Sequence, residues 1–329
     1  MKRKKLIALS SLILLAACAG CASFSQKQDQ VYKRESGESL KFWKGVGEAS
    51  SIHLPYAWAA VAAYQDSDDP ARKPIVLQDN CPEPHRFLHD HGWKPWNTLP
   101  LLRKNDIQFD PESDAARKMK AVHLRVEVWA NRDREEVIVA FGGTAATSLQ
   151  DWKSNFRWLM KFFDDEDAYT VTEKYFVPAF DAEYENRSRK PENSWLKQAK
   201  IVAVGHSLGG GLAQKFAYSL SPKTGMAGVK TVYAFDPSPV SGKLSTEDYK
   251  KNAEGLTIYR IYNRGEILAS VRSILQWADP KTKFEGQVWI DMRYKDGWTW
   301  RTVLPSGSVR AHGMYNLACF IKECAEKQC

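Results

Sequence analysis

The sequence predicts an α/β fold with a mostly parallel central sheet, on three observations. Short apolar stretches of strand length alternate with stretches of helical length, the order that builds a parallel sheet. One of them, Lys200–Val204, runs straight into Gly205-His206-Ser207-Leu208-Gly209 and then a helix from about Leu208 to Leu220. The 329 residues are 43% hydrophobic and 26% charged, which excludes disorder, collagen and coiled coil as descriptions of the whole chain. A chain of this length buries roughly three quarters of its unfolded surface, so its core does not require disulfides.

Taken in order, Lys2, Arg3, Lys4 and Lys5 precede an apolar run, Leu6–Ala17, too short for a permanent bilayer span. A charged leader, a short apolar run and small residues make a secretory signal peptide of residues 1–17. Residues 18–40, polar and poor in apolar side chains, read as a tether. A single domain is expected over 41–329. Gly45, Gly47 and Pro55 interrupt its start, and a helix is expected only after Pro55, to about Tyr64. Residues 66–118, rich in Pro, Asp and Trp, read as irregular covering structure.

The regular core begins near Ala121. Val122, Leu124, Val126 and Val128 alternate with His123, Arg125, Glu127 and Trp129 at a strand period. A turn at Asn131-Arg132-Asp133-Arg134 leads to a second strand, Glu136–Phe141, apolar on both faces. Helices are expected at 150–163 and through Phe176–Tyr184, and strands at Val229–Phe235 and Leu256–Tyr262. Phe284–Tyr294 and Trp298–Leu304, joined at Lys295-Asp296-Gly297, read as a C-terminal β-hairpin whose Trp289, Trp298 and Trp300 pack onto the domain or, alternatively, grip a lipid surface.

The formal net charge is +8, which raises the question of nucleic acid. Removing the 17-residue leader and its four positive charges leaves 312 residues at +4. Basic and acidic residues then interleave as on a solvated surface, so nucleic-acid binding is not expected. In an oxidising compartment, Cys81, Cys319, Cys324 and Cys329 can form disulfides, with connectivity open. No cysteine spacing fits structural zinc, and His85, His89 and His91 read as a solvated loop. No metal or cofactor is expected.

Gly205-His206-Ser207-Leu208-Gly209 supplies a nucleophile. A reactive serine must stand on a tight strand-to-helix turn, and residues two positions either side must lack side chains to avoid collision. The helix that follows points its amides at the same place, where an oxyanion forms in acyl transfer. Serine needs a base, and His312 is the one histidine after Ser207. His206, adjacent in sequence, should point away from the serine and pack. The acid belongs in a loop at the C-terminal end of a strand. Asp236, after Val229–Phe235, and Glu266, after Leu256–Tyr262, both meet that requirement.

These motifs together resemble the class 3 (fungal-type) lipases of the α/β-hydrolase fold, over residues 137–318. Val137–Thr144 is similar to the family's oxyanion strand, and Asp151-Trp152 with Asn155-Phe156 to the segment that follows it. Ile201–Ala213 resembles the nucleophile turn, Tyr262–Leu268 the segment carrying the acid, and His312-Gly313-Met314-Tyr315 the segment of the base. The resemblance implies an ester hydrolase of lipid-like substrates using Ser207, His312 and Glu266, with Thr144 and the amide of Leu208 as the oxyanion hole. It implies an apolar cover at 152–163. In two places the chain departs from the pattern. Glu266 stands where the family carries Asp, which keeps Asp236 as the alternative acid, and Gly142 stands where an arginine-like residue is usual. Leu15-Ala16-Ala17-Cys18 separately resembles a bacterial lipobox, which implies lipidation of Cys18 and, with Ala19, an outer-membrane location; the alternative is ordinary cleavage in the same stretch, giving a secreted or periplasmic protein. The alternative to the enzyme is a non-catalytic envelope lipoprotein using the fold as a binding module. Substrate head group and oligomeric state are not legible.

Overall fold

The computed structural model describes residues 30–34, 41–65, 81–96, 113–143, 167–246, 248–263, 287–294 and 313–327. The expected cover at 152–163 and the second strand of the hairpin lie outside them. The elements in chain order are β1 (Gln30–Arg34), β2 (Lys41–Gly45), α1 (Val46–Gln65), α2 (Pro84–Asp90), β3 (Lys94–Pro95) and α3 (Asp114–Ala121). Then come β4 (Val126–Asn131), β5 (Glu136–Phe141), α4 (Ala168–Val171), a π turn (Thr172–Phe176), α5 (Val177–Ser188) and β6 (Lys200–His206). The rest are α6 (Leu208–Ser219), β7 (Val229–Phe235), α7 (Tyr249–Asn252), β8 (Thr257–Asn263), β9 (Val288–Tyr294) and α8 (Met314–Lys327).

The strands form one sheet in the order β2-β1-β9-β8-β7-β6-β5-β4-β3. Strands β5 to β9 are parallel, and the two margins are antiparallel. All six residues of β5 and all but the first of β6 are buried, as both faces of a parallel sheet must be. This is the α/β-hydrolase architecture. Because β5 to β9 follow one another monotonically, right-handed crossovers place the described connecting helices on the same face. That face packs Val139, Phe141, Ala203 and Ala234 against Phe176, Phe180, Leu212 and Phe216.

The opposite face, with Ile138, Ala140, Val202, Val204 and Phe235, receives no crossover helix among the described residues. It is covered by α1 and α8, which come from before and after the core. Here the structure corrects the expected helix after Pro55. Helix α1 begins nine residues earlier, at Val46, and carries Pro55 inside it. An internal proline costs about 3 kcal/mol. Burying one large apolar side chain gains roughly 1.5–3 kcal/mol, and α1 buries Trp58 and Val61 together with Ala57, Ala59, Ala60, Ala62 and Ala63. Packing therefore overrides the local break. Tyr56 adds a specific anchor: its ring stacks on Tyr233 at 4.0 Å, and Tyr233 stacks on Tyr259 at 4.6 Å. Its hydroxyl donates to Glu136 Oε1 at 2.7 Å.

Other expectations change for similar reasons. The tether assigned to 18–40 includes β1, whose residues pair with β9. Within 66–118, the stretch expected to be irregular contains α2, β3 and the start of α3. The alternation beginning at Val122 does not begin a strand there: Val122 caps α3, His123 is left-handed (φ 51°), and β4 starts at Val126. The helix expected at 176–184 extends from Ala168 to Ser188 through the π turn. Pro178 lacks the amide that the carbonyl of Lys174 would meet in an α-helix, and Val177 bonds instead to Thr172. Strand β9, expected in a hairpin, is an internal strand between β8 and β1. His85 and His89 stand on a short helix and His91 caps it, not in a loop. His85 Nε2 meets Glu127 at 2.9 Å, and among the described residues no cluster fits a metal ion.

One buried and one half-buried ion pair fix the sheet and the helix layer. Arg260 on β8 forms a two-pronged contact with Asp291 on β9 at 2.5 Å, under the ring of Trp289. Burial opposes the charge of Arg260, but the Asp291 carboxylate outweighs it and raises its pKa. Lys215 on α6 reaches Glu173 at 2.7 Å and also donates to Ser245 and Thr246, tying down the loop after β7. Cys81 is bonded to Cys319 of α8, and Cys324 is also in a disulfide.

The Cys81–Cys319 bond spans 238 residues and clamps the covering layer to the chain that precedes α2. Replacing both by alanine is expected to lower the unfolding free energy by about 2–5 kcal/mol. Urea denaturation of the oxidised protein and the double variant measures this.

Candidate active site

The site is built at the C-terminal edge of the sheet. Ser207 follows the last residue of β6 and immediately precedes α6, with φ 57° and ψ −124°. A non-glycine residue held there stores on the order of 1–3 kcal/mol and persists only where the surroundings over-determine it. They do so here. The Ser207 amide donates to the Phe235 carbonyl at 3.0 Å, and its own carbonyl accepts from Gly210 at 3.0 Å and Ser238 at 2.8 Å. The serine side chain makes no capping bond to the helix, which leaves its hydroxyl to other work.

The flanking glycines are demanded by space. A β-carbon at Gly205 would overlap the carbonyl of Gly209, and one at Gly209 would overlap the carbonyl of Phe141. The turn is thus seated on the end of β5, where the oxyanion segment begins. Leu208 opens α6, so its amide belongs to the first turn, which has no intrahelical acceptor. Gly143 is packed equally closely: a β-carbon there would lie 3.3 Å from Ser207 Cβ and 2.6 Å from the carbonyl oxygen of His206. The residue after it, Thr144, lies outside the described residues, as do His312, Glu266 and Cys18.

Asp236 lies at the end of β7, one strand from the nucleophile, and is fully buried. Its backbone is left-handed (φ 38°), its amide donates to Ile261 at 2.7 Å, and its Oδ1 accepts from the amide of Asn263 at 2.8 Å. The carboxylate therefore spans the ends of β7 and β8. His206 points into the packed layer, as expected, with Nδ1 2.8 Å from the hydroxyl of Tyr64. A β-carbon at Gly142 would lie 2.5 Å from the carbonyl of Ala63 and 3.1 Å from Arg125 Cβ. An arginine stem thus stands beside the place where an arginine-like side chain was missing, but it comes from the approach to β4. Neither Tyr64 nor Arg125 carries a local signal of this role. Tyr64 is 142 residues from its partner.

Residues 138–275 match the family described as Lipase (class 3). The match covers 138 of the 329 residues, and over that span the chain is similar to class 3 lipases. The matched span runs from β5 past β8, taking in the nucleophile turn, Asp236 and Glu266, and it leaves out α1 and His312. The matched span is that of a carboxylic ester hydrolase of the lipase kind. The lipase from Rhizopus microsporus var. chinensis is 14% identical over 80% of this chain and 86% of its own, with a TM-score of 0.42. Lip2 lipase from Yarrowia lipolytica is 17% identical over 68% of this chain and 74% of its own, with a TM-score of 0.39. Those likenesses are too distant to carry chemistry across. No curated protein sequence matches the chain.

Gly209→Ala tests the seating of the turn, since its methyl would press on the Phe141 carbonyl. Overpacking of this kind costs about 1–3 kcal/mol. The variant should melt at a lower temperature and react far more slowly with a fluorophosphonate at Ser207. Calorimetry and labelling kinetics check the two effects.

Proposed function

We propose that this lipase-core protein hydrolyses lipid-like esters through an acyl-enzyme on Ser207. Ser207 attacks the acyl carbonyl while His312 takes its proton, and the amide of Leu208 with Thr144 meets the oxyanion. His312 returns the proton to the leaving alcohol, then activates the water that frees the acid. The observation that carries the reading is the strained, glycine-flanked turn of Ser207 at the mouth of α6. A binding module has no need to hold that backbone. Ser207→Ala should abolish hydrolysis of p-nitrophenyl acyl esters and fluorophosphonate labelling alike. A folded wild-type protein that the probe leaves unlabelled would instead favour the non-catalytic binding module.

The acid is assigned to Glu266 from its place in the family pattern. A second reading is favoured by one observation: Asp236 is a fully buried carboxylate bound to a backbone amide at the strand ends, a fit setting for orienting an imidazole. Glu266→Gln and Asp236→Asn separate the two. The amide of the true acid leaves the histidine in the wrong tautomer and should lower kcat by about 10⁴-fold. The other variant should stay within tenfold of wild type, as steady-state kinetics would show.

Export and anchoring through a lipidated Cys18, at the outer membrane, complete the proposal, supported by the leader and Leu15-Ala16-Ala17-Cys18. The substrate is then an ester presented at or near a membrane. In cells fed radiolabelled palmitate, wild-type protein should carry label in the membrane fraction. Cys18→Ala should be unlabelled, and equal labelling of the two would exclude the anchor.

A further inference from the structure

The hydroxyl of Tyr64, at the C-terminal end of α1, touches both halves of the site. It lies where a β-carbon on Gly143 would fall, so the oxyanion segment rests directly on it. It also donates to the carbonyl oxygen of His206 at 3.2 Å and stands 2.8 Å from His206 Nδ1. Both contacts are satisfied at once if the hydroxyl donates to the carbonyl and the ring Nδ1–H donates to the hydroxyl.

The His206 carbonyl belongs to the peptide unit whose other end is the Ser207 amide. That unit is planar and is held at both ends, by Tyr64 on its oxygen and by the Phe235 carbonyl on its nitrogen. Its tilt sets the φ of Ser207, and hence the direction of the nucleophile. The oxyanion side has the greater need of support. Gly142 and Gly143 have no side chains to anchor the segment and the widest conformational freedom of any residues. A donor on Thr144 is useful only if it meets the oxyanion within a few tenths of an ångström.

We propose that Tyr64 is a positioning residue of the acyl-transfer site, holding the oxyanion segment and the nucleophile turn in register. The proposal rests on the ester-hydrolase reading above. It places a part of the working site on α1, outside the span that matches the lipase family. Tyr64 touches no reacting atom. It acts through Gly143 and His206, and its removal weakens the transition state more than the ground state.

The test uses Tyr64→Phe in the full chain, with active sites counted by fluorophosphonate titration. Per titrated site, kcat on a p-nitrophenyl ester should fall about 10–100-fold with KM nearly unchanged, the cost of a slightly misplaced donor. Affinity for an alkyl boronic acid, which mimics the tetrahedral adduct, should fall by the same factor as kcat/KM. Unchanged kcat per site, or unchanged boronate affinity, overturns the proposal, as does a loss confined to the number of sites or the melting temperature. If Tyr64→Phe does not fold, Gly143→Ala pushes the same contact from the other side and must show the same paired loss. A wild-type protein that neither hydrolyses the ester nor takes the probe overturns the hydrolase reading instead, a different outcome.

Discussion

The backbone of Ser207 is the constraint on which the rest of the site depends. A serine at φ 57° cannot hold itself there. Its neighbours supply the geometry: the Phe235 carbonyl takes its amide, and Gly210 and Ser238 take its carbonyl. Gly205 and Gly209 let the strand end, the helix start and the end of β5 approach closer than any side chain allows. The parallel sheet is what brings those groups to one edge. Strand β5 leads into Gly142 and Gly143, β6 into Ser207 and β7 into Asp236, whose carboxylate meets the end of β8.

The same topology creates a need that the sheet cannot meet. A monotonic run of parallel strands with right-handed crossovers covers one face and leaves the other bare. Helices from the two sides of the core, α1 and α8, must close it, and the Cys81–Cys319 bond joins α8 to the segment that follows α1. This explains why a helix with an internal proline survives: it is the only described helix that spans β4 to β7 on that face. Its far end then comes to rest under Gly143. A layer that answers a packing requirement thus also reaches the chemistry.

Polar groups inside the molecule follow the same logic of mutual support. Arg260 and Asp291, and Lys215 with Glu173, Ser245 and Thr246, are paired where they are buried. Such pairs add little net stability over apolar packing, because desolvation offsets their attraction. What they set is position: one aligns β8 with β9, the other pins the loop that leaves Asp236.

Much of the core was legible because it is encoded locally. Strands β5 and β7 stand at the residues that hydrophobic pattern alone assigned, and β6, α6 and β8 within two residues of them, because a buried parallel strand is an unbroken apolar run. The nucleophile turn was legible because its glycines and serine lie within five residues. What depends on partners far away in the chain was not. Pro55 and two glycines read as breaks until the bare sheet face supplied burial enough to continue the helix. The alternation at Val122 was a helix end, since α3 and a left-handed His123 took those residues first. By itself the sequence determined the fold class and the glycine-flanked strand-to-helix turn of Ser207, through periodicity and steric demands between near neighbours. Only the tertiary structure decided what covers the second face and what packs between Gly143 and the Ser207 turn, because Tyr64 meets His206 across 142 residues and no local pattern records that contact.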